Sequence, residues 1–242
     1  MTAAGPVIPN FGTGSSCVTG DHAFCWGWVK QHWNDTLGPA LVQHIELTAI
    51  AVSIGFILSF ALALIAHRFG RAEGPIGVVT ALLYTIPSLA LFQLLVPFTG
   101  ITRVTVEVAL VAYSLVILFP NILAGLRAAP ADTLEAARGM GLTPHQVLWR
   151  VELPLALPSV IAGLRIAVVS TIAIATIAAT IEPKGLGYPI FYAIHLPTPF
   201  KTEIYSAGAL AVALALACDA ALVVARRLLV PWGARGRTGG PR

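Results

Sequence analysis

The chain has 242 residues, of which 57% are hydrophobic and 11% charged, with a formal net charge of +4. Mean hydropathy is +0.81. A soluble domain of this size has no means of covering so much apolar surface, so the composition excludes an ordinary soluble enzyme and makes an integral membrane protein the default. The basic residues sit at the ends of apolar segments rather than in one patch, which argues against nucleic-acid binding.

Residues 1–43 precede the first apolar span. The first 23 are small, polar and Gly-rich, without the basic start and apolar run of a cleavable signal peptide. Phe24, Trp26, Trp28, Trp33, Leu37 and Leu41 then fall among Lys30, Gln31, His32, Asn34 and Asp35, the pattern of an amphipathic segment lying at headgroup level. Of the three cysteines, Cys17 and Cys25 are eight apart and Cys218 lies in the last span. A Cys17–Cys25 bridge is open to the chain if that end lies outside the cytoplasm.

Five apolar segments follow within residues 44–230, at about 45–66, 75–97, 104–126, 154–181 and 204–230, each long enough for a helix of ~20 residues to cross a bilayer. Residues 231–242 form a short basic tail. Five crossings put the two ends on opposite sides. With the N-terminus outside, the cytoplasmic segments hold ten basic residues: Arg68, Arg71, Arg127, Arg138, Arg150, Arg226, Arg227, Arg235, Arg237 and Arg242. The outer segments then hold four, Lys30, Arg103, Lys184 and Lys201, so the positive-inside bias predicts N-out and C-in.

Pro87, Pro120 and Pro158 lie inside spans, where prolines serve either as hinges beside a pathway or as static kinks. Ala207, Ala211 and Ala215 have a small-residue spacing that permits close helix contact. Residues 182–203 break the apolar pattern and read either as a re-entrant or surface helix on the outer face or as a plain outer loop. Arg165 lies about eleven residues into its span, roughly 16 Å at helical rise. Ionisable groups at such depth are functional candidates, although an ion pair of Asp219 with Arg165 or Arg226 is the reading that the residues favour. Tyr84, Pro87, Asn121 and Arg165 are the candidates for the pathway, with Tyr84 offering an aromatic face to a cation, although a packed core tyrosine is the reading favoured for Tyr84. No nucleophile–base pair, metal-ligand spacing or Gly-rich loop ending in Lys-Ser/Thr is present, so the chain has no catalytic, metal or cofactor residues to offer and no means of hydrolysing ATP by itself.

The one long polar stretch between spans is residues 130–154. Asp132 followed by Glu135 has capping-box spacing and predicts a helix start. Leu134, Ala137 and Met140 then give a small apolar face, and Gly139 and Gly141 are able to end the helix. Thr143, Pro144 and Gln146 restart it with a cap, a proline at the first helical position and a second capping-box partner. The expectation is two short helices outside the bilayer, joined by an elbow and exposing Arg138, His145 and Arg150.

Glu135-Ala136-Ala137, three residues, Gly141, nine residues, Val151, one residue and Leu153-Pro154 resembles the EAA loop of ABC-importer permeases, with Val151 where isoleucine is usual. The resemblance implies an all-α type I importer permease fold. It also implies that Glu135, Ala136, Ala137, Gly141, Val151, Leu153 and Pro154 couple the spans to a cytoplasmic ABC ATPase. Further partners it implies are an extracytoplasmic substrate-binding protein and a second permease subunit, identical or sister, in a bacterial cytoplasmic membrane. ATP and Mg belong to the ATPase. Residues 85–91, 151–158 and 162–165 extend the resemblance to permeases of osmoprotectant importers, which take up glycine betaine, choline, carnitine or proline betaine. Glu182-Pro183-Lys184 departs from the Gly-rich run usual in those relatives before Gly185-Leu186-Gly187. An amino-acid permease of the methionine type shares the EAA loop and is the alternative. An ion-driven secondary transporter needs an intramembrane acid chain, which the widely separated Glu46 and Asp219 support poorly.

Overall fold

A computed structural model describes residues 24–196 and 199–230. After a first short helix, α1 (Trp26–Gln31), a π-helical turn at Trp33–Leu37 leads into α2 (Gly38–Arg68). Then come α3 (Glu73–Thr85), α4 (Ser88–Thr99), α5 (Arg103–Leu126), α6 (Ala131–Gly139) and α7 (Pro144–Val147). A second π-helical turn, Leu148–Glu152, joins α7 to α8 (Leu153–Ile177), followed by α9 (Gly187–Ile194) and α10 (Lys201–Leu229).

Among the described residues, four helical stretches are long and apolar enough to cross a membrane: Trp33–Arg68, Arg103–Leu126, Pro144–Thr180 and Lys201–Leu229. The second apolar segment differs from the straight span expected at 75–97. It is a helix pair, α3 and α4, bent by 103° at its break. Pro87 is the cause. It lacks the N–H that would continue the ladder, and its ring drives Ile86 out of the helical region to ψ 121°. The Ile86 carbonyl released by the break accepts a hydrogen bond from the Tyr113 hydroxyl on α5. Pro120 and Pro158, by contrast, sit inside unbroken helices.

Helices α2, α5 and α8 form the packed centre. With apolar lipid on the outside, burying apolar side chains gives little preference for protein over bilayer, so close van der Waals fit holds such helices together. Small residues make that fit. A Cβ on Gly163 of α8 would lie 2.5 Å from the Cβ of Asn121 on α5, and one on Gly55 of α2 would lie 2.6 Å from that of Ser114. Ser114 and Thr171 also share a hydrogen bond of 3.2 Å between α5 and α8. One apolar cluster gathers Leu47, Phe92, Leu110 and Ala175 around the broken α3–α4 pair. A second gathers Ala63, Ala66, Leu118, Phe119, Ile122 and Ala156 towards the other end.

The first span is longer at its start than the sequence pattern indicates, since α2 begins at Gly38 rather than near Ile45. The amphipathic stretch before it is anchored rather than loose. Trp28 stacks on His32 at 4.4 Å and meets Phe200 edge-on at 5.1 Å, while Trp26 and Trp33 stay exposed. Cys25 is disulfide-bonded and Cys218 is a free thiol. Cys17, the partner considered for Cys25, lies outside the described residues.

Residues 182–196 fold as a docked turn and helix. The Leu186 N–H donates to Nδ1 of the fully buried His44 at 3.2 Å, and His44 Nε2 lies 3.1 Å from the Ile172 carbonyl. The Nε2–H tautomer satisfies both bonds. The Gly185 N–H donates to Gln43 at 3.1 Å. Gly185 has φ +69°, and a Cβ there would meet His44 Nδ1 at 2.9 Å. His44 thus ties α2, α8 and the 182–187 turn together.

The glycine contacts give a direct test of the packing. Gly163→Leu should destabilise the fold by about 1–3 kcal/mol or more through overpacking, whereas Gly208→Ala, whose Cβ meets nothing within 4 Å, should be neutral or stabilising. Thermal inactivation in detergent micelles measures both.

Candidate functional site

The polar stretch forms the elbow expected of it, with one difference at its start. Helix α6 is capped by Pro130 at ψ 142°, without a side-chain cap. Asp132 is therefore inside the first turn rather than before it, so no Asp132–Glu135 capping box forms. The ring of Pro130 presets its φ at −60° for the entry into the helix, and Asp132 lies in the first turn, where the helix dipole favours a carboxylate.

The end of α6 is closed by backbone alone. The Leu142 N–H reaches back to the Ala137 carbonyl at 3.2 Å and the Gly141 N–H to Arg138 at 2.9 Å. These are the paired bonds of a Schellman cap, which requires a left-handed residue just past the helix. Gly141 fills that place at φ +82°, with nothing within 4 Å of a Cβ built on it. Its requirement is conformational, not steric. Gly139 is helical, so only one of the two candidate glycines ends the helix.

The restart agrees with the sequence. Thr143 and Gln146 make the reciprocal capping box, with the Thr143 N–H donating to Gln146 Oε1 at 2.8 Å and the Gln146 N–H to Thr143 Oγ1 at 3.4 Å. The second helix, however, is not the short, free-standing one expected. Residues 144–180 run as a single helix, so α7 continues into the span. Pro154 would break an α-helix here. The Leu148–Glu152 turn widens instead, and the Leu153 N–H bonds five residues back to Leu148.

Glu135, Ala136 and Gly141 are exposed, Ala137 is buried, and Val151, Leu153 and Pro154 are half-buried at the root of α8. Leu148 and Leu153 pack against the cluster containing Ala63, Ala66 and Leu126. Arg138, His145 and Arg150 are exposed as expected. Met140 leaves the proposed apolar face and stands 74% exposed at the tip. The elbow therefore offers an outward surface of carboxylate, small apolar and basic groups on a rigid base. Glu73 and Arg127 close an ion pair of 2.7 Å between α3 and α5.

The four pathway candidates are not gathered in one place. Tyr84 is 70% exposed and lines a cleft of about 790 Å³ between α3 and α5, with Thr80, Thr85, Pro120, Glu73 and Arg127. Pro87 sits at the helix break above. Asn121 faces Gly163 and donates to the Ile117 carbonyl at 2.7 Å. Arg165 makes a bidentate pair with Asp219 at 2.7 and 2.9 Å, joining α8 to α10. The reading of these two charges as an ion pair agrees with this geometry. Glu152, which bonds His67, was not singled out by sequence reasoning; its 85-residue separation from His67 leaves no local signal.

Among the described residues, a helical bundle of apolar spans with a rigid polar elbow is the architecture of an integral membrane protein. The family model for binding-protein-dependent transport system inner membrane components matches residues 41–231, and the chain belongs to that family. The choline transport system permease protein OpuBB of Bacillus subtilis is 35% identical over 79% of this chain and 87% of that protein. The osmoprotectant import permease protein OsmW of Salmonella typhimurium is 35% identical over 80% of this chain and 91% of its own length. Among solved structures, the inward-facing MetNI methionine ABC transporter matches at a TM-score of 0.73 with 19% identity, covering 83% of this chain and 98% of that one. An amino acid ABC transporter matches at 0.71 with 18% identity, covering 82% and 96%. At such identities these structures show the type I importer fold alone. The chain is thus a membrane permease subunit and not an enzyme, and its family implies an ATPase and a substrate-binding protein as partners.

The cap predicts unequal effects of two neighbouring substitutions. Gly141→Ala forces a left-handed L-residue at a cost of about 1–2 kcal/mol and should loosen the elbow, while Gly139→Ala should not. Limited proteolysis of the elbow in membrane vesicles should show faster cleavage for the first variant only.

Proposed function

We propose that this chain is the membrane-spanning permease of an ATP-driven importer for osmoprotectant quaternary amines, such as glycine betaine, choline, carnitine or proline betaine. The observation that carries this reading is 35% identity to a choline permease and to an osmoprotectant permease across most of the chain. The likeness to methionine and amino-acid transporters is one of fold at 18–19% identity, so it gives the amino-acid alternative little weight.

The chain sits N-out and C-in. Residues 1–43 form an outer tail and interfacial segment, 44–230 the transmembrane domain with its elbow at 130–153, and 231–242 a cytoplasmic basic tail. The elbow residues Glu135, Ala136, Ala137, Gly141, Val151, Leu153 and Pro154 engage the ATPase, which holds ATP and Mg. ATP-driven closure of two ATPase subunits moves the elbows and rocks a pair of permeases, identical or sister, from inward- to outward-facing. A separate binding protein then delivers the amine. The α3–α5 cleft is part of the pathway, and Tyr84 presents its ring there to the quaternary nitrogen. The exposure of Tyr84 in a cleft supports that assignment, whereas the packed Asn121 and paired Arg165 serve the structure.

Uptake of radiolabelled choline and glycine betaine by membrane vesicles, competed with other betaines and with methionine, tests the substrate class. Competition by betaines alone supports the proposal; competition by methionine alone contradicts it. Gly141→Arg and Glu135→Lys should each abolish uptake while the chain remains in the membrane, and normal uptake by both would refute the coupling role. Tyr84→Ala should reduce uptake roughly 3- to 30-fold and Tyr84→Phe much less, on the scale of a partly desolvated cation–π contact. Equal losses in the two variants would remove the ring from the pathway.

A further inference from the structure

Glu152 lies between the elbow positions Val151 and Leu153, in the π-helical turn that roots the elbow in α8. It is only 8% exposed. Its Oε2 accepts a hydrogen bond of 2.9 Å from His67 Nε2, in the last turn of α2. A carboxylate so withdrawn from water costs free energy unless it is bonded, and an apolar side chain would serve packing alone at least as well. Around it, a cavity of about 830 Å³ opens between α2 and the elbow, lined by Leu64, Arg68, Arg138 and His145 among others. Contact between α2 and this part of the chain is therefore narrow. It includes the Glu152–His67 bond and the apolar cluster of Ala63 and Ala66, against which Leu148 and Leu153 pack.

We infer that Glu152 and His67 form a strut that carries movement of the elbow to α2. The elbow then drives two spans: α8 through unbroken backbone and α2 through this bond. The inference rests on the coupling reading above, and Glu152 acts as a positioning residue. The strut stays closed throughout the transport cycle. On one side the widened turn is continuous with a helix running from Pro144 to Thr180, and on the other His67 belongs to the helix Gly38–Arg68, so neither end has slack.

The test uses the whole assembly, reconstituted in vesicles with its ATPase and binding protein. Native chain, Glu152→Ala, His67→Ala, the double variant and Glu152→Gln are compared for choline or glycine betaine taken up per ATP hydrolysed. Each alanine variant should lower that ratio roughly fivefold, the size expected of a contacting pair, with the double variant no worse than either single. Glu152→Gln keeps an acceptor for the His67 N–H and should retain most of the native ratio. An unchanged ratio, or single effects that multiply in the double variant, overturns the strut. Should the alanine variants fail to assemble, His67→Cys with Glu152→Cys, joined by a short thiol crosslinker, decides the matter. Hydrolysis and uptake should continue across the closed link, and their loss on crosslinking overturns the inference. If the native assembly takes up neither amine, the substrate reading fails, and the hydrolysis rates of the same variants decide the strut. A native chain that binds no ATPase removes the coupling reading itself, an outcome distinct from additive single effects in a working importer.

Discussion

One unbroken helix from Pro144 to Thr180 joins the elbow to the interior of the membrane domain. Everything proposed for coupling depends on that continuity. Pro154 ought to interrupt it, because the ring removes a hydrogen bond and collides with the preceding turn. The π-helical turn at Leu148–Glu152 resolves the conflict by widening the helix just before the proline. The same turn brings Glu152 around to His67. A local solution to a proline thus also supplies a lateral contact.

The central helices pack closely because glycine on one helix lets a side chain of the next lie against its backbone. Gly163 against Asn121 and Gly55 against Ser114 leave no room for an intervening side chain. Helices in such contact slide or rotate as bodies instead of deforming, since a close-packed interface resists continuous distortion. The bent α3–α4 pair differs. It is held at its break by Tyr113 and borders the α3–α5 cleft through Tyr84 and Thr85. The most irregular backbone of the apolar segments therefore lies beside the proposed pathway, as expected where irregular backbone must line a cavity or be buried in protein.

Much of the elbow was legible because its determinants are local. Thr143, Pro144 and Gln146 act within one turn, so spacing alone identifies that cap, whereas spacing offered both Gly139 and Gly141 as helix ends and the φ of Gly141 decides between them. Asp132 was misleading because Pro130 begins the helix without a side-chain cap. The Arg165–Asp219 pair was legible for a different reason: two isolated charges in apolar helices have few other partners. The Pro87 bend was underread. Its proline is visible, but Tyr113, which takes the freed Ile86 carbonyl, lies 27 residues away. His44 and Glu152 were missed altogether. Each makes its decisive bond to a residue between 85 and 142 positions distant, and nothing in the local pattern distinguishes either from an ordinary polar residue at a span end.

The central claim is that the elbow, and not another part of the chain, meets an ATPase. A photo-crosslinking residue placed at Met140, the exposed tip of the elbow, measures this directly in native membranes. The account predicts a crosslink to a nucleotide-binding ATPase subunit, with none from the same probe at Tyr192 on α9, towards the end of the bundle marked by His44. Absence of any ATPase product from Met140, or equal capture from Tyr192, would contradict it.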